Sequence, residues 1–353
     1  MSDAPARNKQ DLVLAPGEYA YLQDTTKGAV RVYTGPTVAT PSAQDVPVIY
    51  DRGSFRRIGS LDDAVKKAPV APEGFYIALR NPAVNNGHPD ENSRSAPELA
   101  IGRRINIPGP DMFALWPGQD AKVIRGHHLR SNEYLLVKVY NEEEARKNWH
   151  ATIQKAVDGT EIKVGQAPKD LITGRQLIIK GTDVSFYIPP TGITVVPEGR
   201  DQDGKDRYTR DALTLERLEY CILIDENGRK RYEKGPQVVF PAPTERFVEK
   251  KDRDGTHRKF RAIELNAIQG LHLKCIAPFT DEQGTEHTAG EELFITGKDT
   301  QIYFPREEIA EVRYDGKSKH FASAVPKGEA RYILDRLTGK ISKVEGPAML
   351  LPD

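Results

Sequence analysis

Apolar residues along the chain fall in short runs, as in Glu18-Tyr19-Ala20-Tyr21-Leu22, Tyr220-Cys221-Ile222-Leu223-Ile224 and Leu271-His272-Leu273-Lys274-Cys275-Ile276. Glycine, proline, asparagine or aspartate interrupts them every few positions. Runs this short, bounded by turn formers, predict small antiparallel sheets. The turns carry hairpin chemistry: Asp24 to Gly28, Asp225-Glu226-Asn227-Gly228 and Asp335 to Gly339 each join two such runs.

The signals repeat. Residues 21–36 align without a gap on residues 332–347, sharing a tyrosine, an aspartate, two glycines and a proline. Residues 225–236 and 102–110 carry related copies that end in Gly235-Pro236 and Gly109-Pro110, and residues 174–189 align on 290–305. In each copy seven positions separate a first glycine (Gly28, Gly102, Gly174, Gly228, Gly290, Gly339) from a second (Gly35, Gly109, Gly181, Gly235, Gly297, Gly346). Pro36, Pro110, Pro236 and Pro347 follow four of the second glycines. Such a Gly-Pro pair is expected to stop a strand, the glycine by a permissive φ and the proline by removing a donor.

The expected fold is therefore mainly β: a tandem array of about six small antiparallel sheets. A polar tail, 1–10, precedes repeats at 11–59, 60–130, 131–199, 200–250, 251–315 and 316–353. Each repeat is smaller than a typical domain, so its core must close against its neighbours, and serial stacking predicts an elongated rod.

Two stretches break the pattern. Residues 81–100 are a polar, Pro/Asn-rich insertion in the second repeat, expected to be either mobile or a contact device. Asn141-Glu142-Glu143-Glu144-Ala145-Arg146-Lys147-Asn148-Trp149-His150-Ala151-Thr152-Ile153 predicts the one short helix. Asn141 can cap it, Glu142–Arg146 and Glu143–Lys147 are spaced four apart, and Ala145, Trp149 and Ile153 share a face.

Composition narrows the function classes. Lys+Arg and Asp+Glu are both 51, so the totals give no support to non-specific nucleic-acid binding. No apolar run approaches a membrane span and the first ten residues offer no signal-peptide core, so a reducing, cytoplasmic setting is expected. Cys221 and Cys275 sit inside apolar runs, which predicts buried, unreactive thiols. Gly199 to Asp206 has phosphate-loop spacing as far as Lys205, but Asp206 stands where a hydroxyl should hold magnesium, and a solvated linker is the better reading. His127 and His128 are adjacent, so on a strand they face opposite ways and do not share a metal. No nucleophile elbow, His-Glu-x-x-His or Cys-x-x-Cys is found. The expectation is no enzyme, no catalytic residues, no cofactor and no metal.

The repeats carry a resemblance. Leu271-His272-Leu273-Lys274, Gly290-Glu291-Glu292-Leu293-Phe294-Ile295 and Tyr303-Phe304-Pro305-Arg306-Glu307-Glu308-Ile309 resemble a repeat of the major vault protein family. Pro16-Gly17-Glu18-Tyr19 with Gly35-Pro36 is similar to the opening repeat of that family, and Gly235-Pro236 to Glu245 fits the same pattern. The resemblance runs from Asp11 onward. It implies small β domains along a rod, with rods side by side as staves of a hollow particle, and it brings no catalytic residues. The family's shoulder domain and cap helix do not appear before Asp353, which favours an open ring, collar or tube over a closed vault. The expected function is structural self-assembly through lateral contacts between copies, with other assembly or cargo proteins as further partners and a cytoplasmic or virion-linked setting. A repeat-built module that displays loops to a protein partner is the alternative. Glu142, Glu143, Glu144, Arg146 and Trp149 are the expected assembly contacts, and ionic contacts of this kind should weaken with salt.

Overall fold

The computed structural model describes residues 11–51, 53–90, 96–169, 171–200, 202–252, 255–314, 316–335 and 338–351. The polar tail, the centre of the insertion, Asp201 of the phosphate-loop-like stretch and residues 253–254 of the Asp252–Gly255 turn thus lie outside the described residues. The fold is mainly β, built of small antiparallel sheets, with one α-helix among the described residues. Two compact bodies divide the chain, residues 1–211 and 212–353.

One arrangement recurs three times in each body. In the first repeat a lead strand, Leu12–Leu14, enters a turn and passes into the central strand Glu18–Asp24. The central strand folds back through the Asp24–Gly28 turn onto the return strand Val30–Thr34. A closing strand, Thr37–Ala39, then pairs with the lead strand. A flanking strand, Asp45–Asp51, takes the other side of the central strand, and Lys66–Lys67 pairs with its beginning. Equivalent sheets form around Phe75–Arg80 and Glu133–Val139 in the first body, and around Glu219–Ile224, Gln269–Cys275 and Ala330–Leu334 in the second. Alternation sets the inside: Leu12 and Leu14 are buried with Ala20 and Leu22, while Val13 faces out.

The two glycines of each copy have different reasons. Gly228 has φ +80° and open space around a would-be Cβ, so it supplies the left-handed turn conformation, while Asp225 Oδ1 accepts from the N–H groups of Asn227 and Arg229. Gly235 is outside the left-handed region. There the N–H donates to Glu219 O at 2.8 Å, and a Cβ would lie 1.9 Å from Glu216 O. The permissive φ expected of the second glycine is thus replaced by a steric requirement. The same 2.8–2.9 Å bond and the same collision with the lead-turn carbonyl recur at Gly35, Gly109, Gly181, Gly297 and Gly346. The four Gly-Pro peptides are cis.

Strand pairing also sets the repeat limits. His127–His128 pairs with Phe186–Tyr187 and so forms the lead strand of the third repeat, ahead of the expected limit at residue 131. Thr209–Asp211 pairs back onto Glu133–Leu135, and Phe260–Arg261 onto Glu219–Tyr220, so these two repeats lend a later segment to their own central strand.

The two glycines should therefore respond differently to a methyl group. Gly228→Ala is expected to cost about 1 kcal/mol, the scale of a left-handed residue with a Cβ, and Gly235→Ala roughly 3 kcal/mol, at the upper end of overpacking. Denaturant unfolding followed by circular dichroism checks the order.

Candidate functional site

Three groups of residues face something other than their own sheet: the helix, the insertion, and the outer faces of the two-stranded sheets.

The helix spans Glu142–Lys147 and stops at Asn148, with Trp149–Ala151 in a 3-10 turn. It is shorter than the sequence pattern suggests because Ile153 joins a strand, Ile153–Lys155, paired with Phe186–Ile188. Asn141 caps it by accepting from Glu144 N at 3.0 Å. Ala145 is fully buried, and the backbone of the helix lies so close to Gly192 that a Cβ there would be 2.2 Å from Ala145 N. Three of its charged side chains bond to the body. Glu144 pairs with Arg103 at 3.0 Å, Glu142 accepts from Thr173 N, and Arg146 donates to the carbonyls of Lys169 and Leu171. Trp149 packs half-buried on the core around Leu135, Val137 and Leu171. Glu143 is exposed.

The described parts of the insertion are packed, not loose. Asn81, at φ 53°, accepts from Gly102 N and donates to Gly118 O; Trp116 Nε1 donates to Gly87 O; His88 stacks on Phe113 at 3.7 Å. Ala83, Ala114 and Trp116 then cover Tyr19, Tyr21, Val32 and Val48 of the preceding repeat, and Tyr21 Oη donates to Leu115 O at 2.8 Å. The loop after the closing strand of one repeat thus touches the sheet of the repeat before it. Asn106 meets the second such loop through the carbonyls of Pro189, Pro190 and Ile193. In the second body Tyr232 donates to Glu308 at 3.0 Å and Arg306 lies over the Tyr232 ring at 4.6 Å. Tyr332, aligned with Tyr21, is 73% exposed where Tyr21 is 3% exposed, since among the described residues its strand pairs with Ile341–Glu345 alone.

The outer faces of three two-stranded sheets carry apolar cross-strand pairs, while the sheets of Leu213–Leu215 and Ile263–Glu264 place Thr214 opposite Val238 and Glu264 opposite Ile302. Val13 lies opposite Val38 (64% and 66% exposed), Val70 opposite Met112 (51% and 49%), and Ala324 opposite Met349. Sequence alternation contains these positions, but only the strand register shows that they coincide.

Among titratable groups, His127 is the most displaced of the histidines in the first body. It is 5% exposed, its Nε2 is 3.3 Å from Tyr76 Oη, and Tyr208 packs edge-on at 4.8 Å. Burial, with His128 beside it, pushes its pKa down to about 4. His128 is exposed on the other side of the strand. Cys221 and Cys275 are free and buried, and burial pushes the Cys221 thiol up to about 12. Cys275, His287 and Glu291 bring a thiol, an imidazole and a carboxylate within 4.8 Å of one another, a grouping that no spacing motif announces. Gly199–Arg200 and Asp206–Arg207 form a hairpin, and Asp206 pairs with Lys122 at 2.5 Å.

A base whose folded pKa is depressed favours the fold above its unfolded pKa and opposes it as pH falls. Between about pH 6.5 and 4 an unfolded His127 takes a proton that the folded chain refuses. Each pKa unit is worth about 1.4 kcal/mol, so stability should fall by roughly 3 kcal/mol across that window. His127→Gln should flatten that part of the curve, read by denaturant unfolding at a series of pH values.

No protein-family model matches the chain. Among curated proteins it is 28% identical over 149 residues to the major vault protein of Mus musculus, covering 39% of this chain and 16% of that protein. It is 22% identical over 348 residues to the major vault protein of Trypanosoma cruzi (strain CL Brener), covering 90% of this chain and 36% of that protein. The chain thus spans about a third or less of the length of these relatives, and its similarity to them is distant.

Proposed function

We propose that this protein is structural and self-assembling: copies lie side by side through the outer faces of their two-stranded sheets and build a hollow ring, collar, tube or shell in the cytoplasm. The observation that carries this reading is the recurrence of exposed apolar pairs at one sheet position, Val13–Val38 and Val70–Met112 in the first body and Ala324–Met349 in the second. Single exposed apolar residues need no explanation. The same register position is apolar on both strands and exposed in the first, second and sixth repeats, which suits a partner with the same repeat, and a second copy has it. Distant similarity to major vault proteins over most of the chain supports the same class. Non-enzymatic action, and contacts to other assembly proteins, belong to this proposal.

The basis differs from the ionic flank that charge patterning suggests. Glu142, Glu144 and Arg146 are held by their own body, and Glu143 is exposed. Association through apolar surface should persist at high salt, where exposed ion pairs are screened.

Light scattering and negative-stain microscopy test the proposal. The unaltered chain should form large, regular particles at micromolar concentration in both low and high salt. Val38→Lys with Met112→Lys, both on exposed positions, should raise the concentration needed for association at least tenfold while leaving the circular dichroism unchanged. A strict monomer at high concentration and low salt would replace assembly by the loop-displaying binding module.

A further inference from the structure

The fifth repeat brings together donors of three kinds. Cys275 ends the central strand Gln269–Cys275, and His287 and Glu291 flank the turn that leads to the return strand Glu292–Thr296. Backbone bonds lock these segments side by side: Cys275 N donates to Glu291 O at 2.8 Å, and Gly290 N donates to Cys275 O at 2.7 Å. His287 Nδ1 faces Glu291 Oε1 at 3.0 Å, and one donor atom from each of the three residues lies within 4.8 Å of the others.

The outer side of the imidazole is also built. His287 Nε2 faces Asp281 Oδ2 at 3.5 Å, and Asp281 is itself fixed by the N–H groups of Gln283 and Thr285. Phe279 stacks on the ring at 4.8 Å between centroids. A ligating histidine commonly directs its second nitrogen to a carboxylate in this way, which fixes the ring and raises its basicity. Sulfur, nitrogen and oxygen donors together suit zinc, and three protein ligands leave a fourth position for water. Tetrahedral bonds of about 2.0–2.3 Å set donor atoms about 3.3–3.7 Å apart, so the His287–Glu291 contact needs to open by only a few tenths of an ångström. The Cys275 thiol is buried at 1% exposure, while the Glu291 side chain is 36% exposed and offers the approach for a cation.

We propose that Cys275, His287 and Glu291 form a three-ligand site for a zinc-class divalent cation, with Asp281 as the carboxylate that orients His287. On binding, the Cys275 thiol proton leaves to solvent and the sulfur ligates as thiolate. His287 ligates through Nδ1 and keeps one proton on Nε2, toward Asp281. The competing arrangement holds no cation: an imidazolium clamped between Asp281 and Glu291. The proposal does not depend on lateral assembly.

Cobalt(II) titration of the full chain, stripped of metal with a chelator, separates the two. One equivalent per chain should bind and give a thiolate-to-cobalt charge-transfer band, which one equivalent of zinc removes. Cys275→Ser should abolish the band, and Cys221→Ser should keep it. His287→Gln should weaken binding more than a hundredfold, and Asp281→Asn roughly 10–100-fold. Circular dichroism identifies any variant that fails to fold, and His287→Gln, on a partly exposed residue, carries the test should Cys275→Ser be one. No band on the full chain, a band that survives Cys275→Ser, or unchanged cobalt affinity in His287→Gln overturns the proposal in favour of the clamped imidazolium.

Discussion

Each repeat closes on a single backbone contact: the second glycine of the pair lies against the carbonyl of the turn that leads into the central strand. At Gly35 a Cβ would stand 2.0 Å from Ala15 O, and at Gly181 1.7 Å from Arg130 O. The glycine N–H meanwhile donates to the first residue of the central strand, Glu18 or Glu133, at 2.8 Å. This contact turns the chain from the return strand into the closing strand, which pairs with the lead strand. Without it the lead–closing strand pair and the sheet around the central strand would have no fixed relation. The lead turn is itself stiffened by an acid, since Glu18, Glu133 and Glu219 accept from the N–H three residues earlier at 2.9 Å.

Once closed, a repeat still has an incompletely covered sheet. Its neighbour supplies the cover. Trp116 and Ala114 lie over Tyr19 and Tyr21, Asn106 is held by the carbonyls after Ile188, and Tyr232 meets Arg306 and Glu308. These contacts join neighbouring repeats within one body, so the core of a body grows repeat by repeat. They cover central faces such as that of Tyr21, whereas Tyr332 on the sixth central strand stays exposed.

Much of this was legible in the sequence. The seven-residue glycine step marks the pairing of central and return strands in each repeat, because a left-handed turn residue and a crowded position both demand the one side chain without a Cβ. Sequence could not separate the two demands: Gly228 and Gly235 look alike until the carbonyl of Glu216 is in place. The lead-turn acceptors, the acids Glu18 and Glu219 and the amide Gln269, have no linear signature, since they read as ordinary polar positions beside an apolar run. The helix was foreseen at its start, where Asn141 provides a local cap, and overextended at its end, where pairing of Ile153 with Ile188 prevailed over helical spacing. The Cys275–His287–Glu291 grouping depends on strand register and has no linear signature.

The most direct test of closure through the second glycine is residue-resolved amide hydrogen exchange. Within each repeat the N–H of Gly35, Gly109, Gly181, Gly235, Gly297 and Gly346, bonded at 2.8–2.9 Å, should exchange among the slowest, together with the central strand that accepts it. Gly28, Gly228 and Gly339, whose N–H groups bond only within their own exposed hairpin turns, should exchange far faster. Second-glycine amides that exchange as fast as those of Gly228 and Gly339 would contradict the account, because the contact would then open without the rest of the repeat.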